Sequence, residues 1–221
     1  MKRSLGFVAL LLLLALAGSA FADVTYNNYE GYNPYWHPLG YPNTATYGEL
    51  FTAPSSPNTN LADFGFWIAN PVANGNIVMS AYIATWTGTN AGTLLYSSSP
   101  INYGNTGEAF VSFNTGGLNL APGGSYVMFL SISQSYGQSF GEAQVDAGSA
   151  LPGQLNGFAY YNNGGDFNAL FTNPWDASGL SPDWAVNLDF TSGSSGVPEP
   201  ASLILLGTGL LAGVRTIRRK R

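Results

Sequence analysis

Trp184-Ala185-Val186-Asn187-Leu188-Asp189-Phe190 sets a large apolar side chain at every second position and a small or polar residue between. That is the period of a β-strand, whose successive side chains point to opposite faces, so one face is apolar and the other polar. The same period recurs along the chain. Phe64, Phe66 and Ile68 alternate with Gly65 and Trp67. Ile77, Met79, Ala81 and Ile83 share one face of the next run, and Tyr126, Met128, Leu130 and Ile132 alternate with Val127, Phe129 and Ser131. Shorter strands are predicted over 92–96, 109–113 and 158–161. Asn74-Gly75, Gly116-Gly117, Pro122-Gly123-Gly124 and Asn163-Gly164-Gly165 read as turns between them. No segment of the body sustains the 3.6-residue period of a helix. Roughly eight short strands at this spacing predict an all-β fold, an antiparallel β-sandwich with jelly-roll-like topology.

Working outward, residues 23–190 read as one domain, opening with an irregular arm over 23–47 that is rich in Tyr, Asn, Pro and Gly. Thr191-Ser192-Gly193-Ser194-Ser195-Gly196 is a flexible linker by composition. A body of roughly 170 residues buries a core without disulfides. The chain has no cysteine, which removes thiolate chemistry and cysteine metal sites.

Charge is segregated. All seven Lys and Arg residues lie in the two terminal segments, whereas eleven of the twelve carboxylates, all but Glu199, lie in 23–190. The net charge of −5 therefore hides a body that carries no Lys or Arg. Nucleic acid is excluded as a partner because phosphate neutralisation needs Lys and Arg, and anionic lipid surfaces are disfavoured likewise.

Lys2 and Arg3 followed by the apolar run from Leu5 to Ala17 form a secretory signal peptide over 1–22. Small residues at Ala20 and Ala22 place cleavage before Asp23, and the run is shorter than a spanning helix. The secretion machinery is the first expected partner. At the other end, Val197-Pro198-Glu199-Pro200 precedes an apolar stretch and a basic tail. Residues 201–217 predict a short transmembrane helix, roughly 21 Å for the apolar run 201–214 and roughly 26 Å up to residue 217 at 1.5 Å per residue. Arg215 and the tail of Arg218, Arg219, Lys220 and Arg221 fix that tail on the cytoplasmic side.

This order of Pro-Glu-Pro, helix and basic tail over 197–221 resembles the PEP-CTERM sorting signal of bacterial exported proteins. The resemblance implies recognition by an exosortase, an integral-membrane protease that cleaves near the motif. The body would pass through the inner membrane stage and be released or transferred to the cell surface or extracellular matrix. The body is similar to a β-domain found ahead of such signals. The residues carrying that likeness are Leu50-Phe51-Thr52-Ala53-Pro54, Gly92-Thr93-Leu94-Leu95-Tyr96, Phe113-Asn114-Thr115-Gly116-Gly117-Leu118 and Tyr161-Asn162-Asn163-Gly164-Gly165-Asp166-Phe167. It implies a sandwich and no activity.

Catalytic constellations are scarce. His37 is the sole histidine, set in Trp36-His37-Pro38, and there is no GxSxG, so neither a serine-histidine relay nor a zinc site is expected. A glycan hydrolase would need two carboxylates flanking the scissile bond, with Glu108 and Glu142 as the alternatives to consider. Calcium could use Asn162 to Asp166 or Asp183, against the reading of a plain Gly-rich hairpin. Carbohydrate binding is the functional reading with most support, because sugar CH faces stack on rings while amides bind hydroxyls. Tyr35, Trp36, Trp86 and Trp175 are the candidate contacts, with Trp67 and the tyrosines of 26–47 beside them. The expectation is a non-enzymatic surface or matrix protein contacting exopolysaccharide. A spacer without ligand stays open beside it.

Overall fold

The computed structural model describes residues 22–31, 38–69, 76–104, 107–149, 155–176 and 183–192. Asp23–Gly193 form one compact unit. The strands are β1 (Val24–Asn27), β2 (Pro38–Leu39), β3 (Thr46–Thr52), β4 (Asn60–Ala69), β5 (Ile77–Trp86) and β6 (Ala91–Ser97). They continue with β7 (Ile101–Tyr103), β8 (Ala109–Asn119), β9 (Ser125–Ser131), β10 (Ala143–Val145), β11 (Leu155–Tyr161) and β12 (Val186–Thr191). Helical structure among the described residues is a 3-10 segment, Ser133–Gln138, and one short helix, α1 (Ala169–Thr172).

These strands build two antiparallel sheets. In the first, β4 is central: β12 and then β1 lie on one side and β8 on the other. Past Phe66, β10 takes over the β12 side, and β2 pairs with β10. The second sheet runs β11, β3, β9, β5, β6, with β7 continuing beside the start of β5.

The alternation predicted for β4, β5, β9 and β12 is what closes the core. Phe64, Phe66 and Ile68 of β4 and Val186, Leu188 and Phe190 of β12 form one cluster with Met79, Ala81, Ile83, Met128 and Leu130 of the second sheet. Ring pairs cross the interior: Tyr47 with Trp184 at 5.3 Å, Phe51 with Phe190 at 6.3 Å, and Phe64 with Tyr96 at 5.7 Å. Each fully buried apolar side chain contributes roughly 1.5–3 kcal/mol of transfer free energy, which is how a body without salt bridges to Lys or Arg is held.

The structure departs from the sequence reading in three places. The arm is not wholly irregular, since β1 pairs along β12 from Val24 opposite Phe190 to Asn27 opposite Asn187. Two inward residues, Val24 and Tyr26, are too few to stand out beside the Tyr-Asn-Pro composition. Strand β3 carries Glu49 between Tyr47 and Phe51 on its inward face, so a carboxylate interrupts its apolar row. Gly116 and Gly117 are not an inter-strand turn. They take φ of 73° and 88° inside β8, where pairing with β4 jumps from Asn114 opposite Asp63 to Leu118 opposite Leu61. Thr115 Oγ1 accepts the Gly117 and Leu118 amides there, so a threonine hydroxyl replaces the missing ladder bonds. Gly123 and Gly164, by contrast, take positive φ in the expected turns.

No helix among the described residues is long and apolar enough to cross a membrane. Residues 1–21 of the signal peptide, residues 201–217 and the basic tail lie outside the described residues.

Candidate functional site

The outer face of the first sheet is built from the positions between the core residues. Register aligns them in rows. One row reads Thr25, Asp189, Asp63, Asn114, and the next reads Asn27, Asn187, Gly65, Ser112. The row above sets Trp67 opposite Phe110. Alternation thus sorts amides, hydroxyls and carboxylates onto one side of the sheet, with the core on the other.

A row of rings closes one end of this face. Tyr29 stacks on Trp67 with centroids 4.5 Å apart and planes 4° apart, and Phe110 lies against the same indole at 4.3 Å. Asn28 positions Tyr29. Its Nδ2 donates to Ser149 O at 2.9 Å and Trp184 O at 2.7 Å, and its Oδ1 accepts Val186 N–H at 2.7 Å. The next amide, Tyr29 N–H, donates to Asn27 Oδ1 at 2.9 Å, turning the ring onto Trp67. Trp67 is itself fixed by backbone bonds to Ala185 O and from Asp146 N–H. On the other flank Phe110 folds over Gly65, where an added Cβ would sit 2.5 Å from its ring, yet Phe110 stays 42% exposed. Tyr29 and Trp67 are thus half-buried in the row, and Phe110 is its exposed ring.

Its electrostatics are those of oxygen acceptors. Tyr29 donates its hydroxyl to Glu108 Oε2 at 2.9 Å. That hydrogen bond, then burial, then the charges of Glu108 and Asp146 raise the Tyr29 pKa. Asp189 accepts Thr25 Oγ1 at 2.5 Å and Asn187 Nδ2 at 2.7 Å. Asp63 faces it across the register, and burial, followed by the charge and hydrogen bonding of Asp189, raises the Asp63 pKa.

The predicted contacts are placed differently from one another. Tyr35 and Trp36 lie outside the described residues, as do His37, Ala20 and the motif Val197, Pro198, Glu199 and Pro200. Trp175 is buried, 5% exposed, with its Nε1 donating to Leu170 O at 2.8 Å and its ring edge-on to Phe129 and Trp86. Trp86 is partly buried against the same cluster. Both tryptophans hold the segment 162–176 onto the outer face of the second sheet. Trp67 and Tyr29 carry the open platform, and its partners Phe110, Asp63 and Asn187 escaped the sequence reading. The alternation around Trp67 marks an outward ring, but its neighbours depend on register between strands far apart in sequence.

The two carboxylates of the hydrolase alternative have separate companions. Glu108 meets Tyr29, while Glu142 acts on Tyr47, whose pKa is pushed up to about 12 chiefly by burial. In the Asn163–Asp166 turn, Asn163 Nδ2 donates to Asp166 O, and Asp166 Oδ1 accepts the amides of Asn168 and Ala169. No group of three or more metal-ligating side chains gathers among the described residues. Asp183 lies beside Glu49, which is fully buried and accepts Trp184 N–H at 2.9 Å. Burial, then the charge of Asp183, raises the Glu49 pKa well above the ordinary carboxylate range against the backbone N–H groups of Trp184 and Gly157.

Two solved structures are similar in outline. One is the clostridial cysteine protease Cwp84 after propeptide cleavage, at 12% identity and a TM-score of 0.49, over 76% of this chain and 40% of that chain. The other comprises the cysteine protease and lectin-like domains of Cwp84, a surface layer associated protein of Clostridium difficile. It matches at 12% identity and a TM-score of 0.42, over 67% of this chain and 32% of that chain. The chain thus spans less than half the length of either structure. No curated protein matches it in sequence. A family model for the PEP-CTERM protein-sorting motif matches residues 196–220. That match covers the Pro-Glu-Pro motif, the apolar stretch and the basic tail up to Lys220, and implies an exported, exosortase-processed protein. The chain carries a PEP-CTERM protein-sorting motif C-terminal to a β-rich body.

Proposed function

We propose that the sorted product is a non-catalytic protein of the cell surface or extracellular matrix that binds carbohydrate through the outer face of the first sheet. The observation that carries this reading is the Tyr29–Trp67–Phe110 row beside amide and carboxylate rows on one open sheet face. Rings offer apolar surface to sugar CH groups, and the exposed Asn27, Asn114 and Ser112 offer donors and acceptors to hydroxyls. A rigid sheet supplies the fixed spacing such contacts need, because backbone ladders and core packing hold each row.

A jelly-roll reading of the body belongs with this proposal. It is supported by the pairing orders β1-β12-β4-β8 and β3-β9-β5-β6, eight strands in two four-stranded sets between which the chain crosses at every step except the β5–β6 hairpin. The remaining strands extend the edges.

The test is a glycan array probed with the purified protein and with Trp67→Ala, with and without calcium. Binding that Trp67→Ala abolishes, while the variant unfolds cooperatively, is expected. An array without a hit makes the body a spacer. Delivery is tested separately by changing Pro198, Glu199 and Pro200 to alanine, which should stop C-terminal trimming. Unchanged trimming and surface delivery would show the segment to be only an anchor.

A further inference from the structure

The outer face of the first sheet has a second property besides its rings. Every ionisable group on it that can bear charge at neutral pH is a carboxylate, and no Lys or Arg exists between residues 23 and 190 to offset them. Asp189 accepts hydrogen bonds from two donors, Thr25 and Asn187, while Asp63 lies directly across the register. Two carboxyls on one open face without a cation constitute a site where positive charge is favoured and further negative charge is opposed. The platform at the other end of the same face supplies the apolar contact.

Geometry links the two ends. Asp63 and Trp67 are on the same face of β4 and four residues apart, which is about 13 Å at 3.3 Å per residue. Between them the Phe110 ring covers Gly65, while Ser112, opposite Gly65, and Asn114, opposite Asp63, are exposed. A ligand touching both the ring row and the carboxyl pair is therefore longer than one sugar, passes the Phe110 ring and the exposed Ser112 and Asn114 on its way, and carries positive charge at the Asp63 end.

We propose that this face selects an amino-sugar glycan with free ammonium groups, such as a glucosamine oligosaccharide, over neutral and anionic glycans. The proposal rests on the carbohydrate-binding reading and names its ligand class. Stacking on Trp67, Tyr29 and Phe110 provides attachment, and the ammonium beside Asp63 and Asp189 provides selectivity. Uronate, sulfated and phosphorylated glycans are repelled by the same carboxylates. A bound ammonium also relieves the repulsion between Asp63 and Asp189.

The experiment compares three probes at pH 6 in chelator: a glucosamine oligosaccharide, its N-acetylated counterpart of equal length, and an oligogalacturonate. Proteins are the wild-type chain, Trp67→Ala, and the Asp63→Asn/Asp189→Asn double variant, each verified by cooperative unfolding. The glucosamine oligomer is expected to bind about tenfold more tightly than the N-acetylated one, a difference of about 1.4 kcal/mol. That ratio should fall to about one in the double variant and shrink as salt rises from low to physiological ionic strength. Oligogalacturonate should not bind. Equal binding of the ammonium and N-acetyl oligomers would overturn the proposal and leave the carbohydrate reading standing. Retention of the ammonium oligomer by Trp67→Ala at full affinity would reduce the effect to general attraction for an acidic protein and overturn it too. Binding of none of the three also overturns the proposal and leaves the carbohydrate reading to the glycan array.

Discussion

On the outer face of the first sheet, the strands present Asn27, Asp63, Ser112, Asn114 and Asp189 around a ring row, and nothing in the described chain folds over them. On the second sheet the outward positions are Leu50, Tyr82, Ala84, Val127 and Phe129, and Phe167, Leu170, Phe171 and Trp175 lie across them. Both sheets share one core, and both bear aromatics outside it. The difference is in who covers the rings. Phe129 and Tyr82 stack at 4.9 Å beneath the protein's own segment 162–176, whereas Phe110 remains 42% exposed. A sheet with apolar residues on both faces needs a cover from its own chain, and a sheet with polar rows can leave a face for a ligand. Aromatic content alone does not separate the two uses, but the residues flanking the rings do.

The largest effect should come from the covered face. Trp175→Ala removes a buried indole that contacts Phe129 and Trp86 and frees the Leu170 carbonyl it serves. It should cost about 3–5 kcal/mol in urea unfolding. Trp67→Ala, which loses two ring contacts on an open face, should cost only about 1–3 kcal/mol. Equal losses would show that the first face is packing surface as well, and the contrast would fail.

Gly65→Ala sharpens the contrast on the open face. The new Cβ meets the Phe110 ring at 2.5 Å and Val111 O at 2.6 Å, and the carbonyl cannot swing aside. A loss of about 1–3 kcal/mol is expected from overpacking, with Phe110 displaced from Trp67. Fluorescence of the tryptophans and glycan binding should change together. A change in stability with binding intact would separate Phe110 from the ligand.

How far all this was legible in the sequence follows from the same physics. Strands β4, β5, β9 and β12 show in the sequence because their core residues alternate with nothing to break the pattern. Strand β3 stays hidden because Glu49 occupies an inward position, and Glu49 is tolerated there only through Trp184 N–H and its own raised pKa. The sequence names Trp86, Trp175 and Trp67 alike as rings. It cannot show that Trp175 comes to lie on Phe129, because that contact follows from the path of residues 162–176 and not from any local period. Nor does it align Asp63 with Asp189, which are brought together by a register spanning most of the chain.

Glu49 tests the interior shared by both sheets. Its folded pKa is raised by burial and by Asp183, so the folded state holds the proton more tightly than the unfolded chain. The stability tied to that proton is fully present below the unfolded value near ~4.3 and is lost as pH rises through the folded value. Glu49→Gln keeps an acceptor for Trp184 N–H and cannot ionise. It should be more stable than wild type by about 1 kcal/mol or more at pH 8, with the gap closing toward pH 4. Chemical denaturation at several pH values reads this directly, and a gap that widens on acidification would reverse the assignment.

Asp63→Asn should give the smallest change, because the group is only partly buried and solvent screens its repulsion from Asp189. The sign is the same as for Glu49. A raised folded pKa means the ionised pair destabilises the fold as pH rises past the carboxylate range, so the amide variant should gain a few tenths of a kcal/mol at pH 7 and nothing at pH 3. No residue of the covered second sheet offers a comparable outward carboxyl pair, so the substitution reports on the open face alone. If it also weakens retention of an ammonium glycan while stabilising the protein, the repulsion between Asp63 and Asp189 serves ligand binding at the expense of stability. If it stabilises the protein and leaves retention untouched, the two faces differ only in packing, and the first owes its openness to chain path.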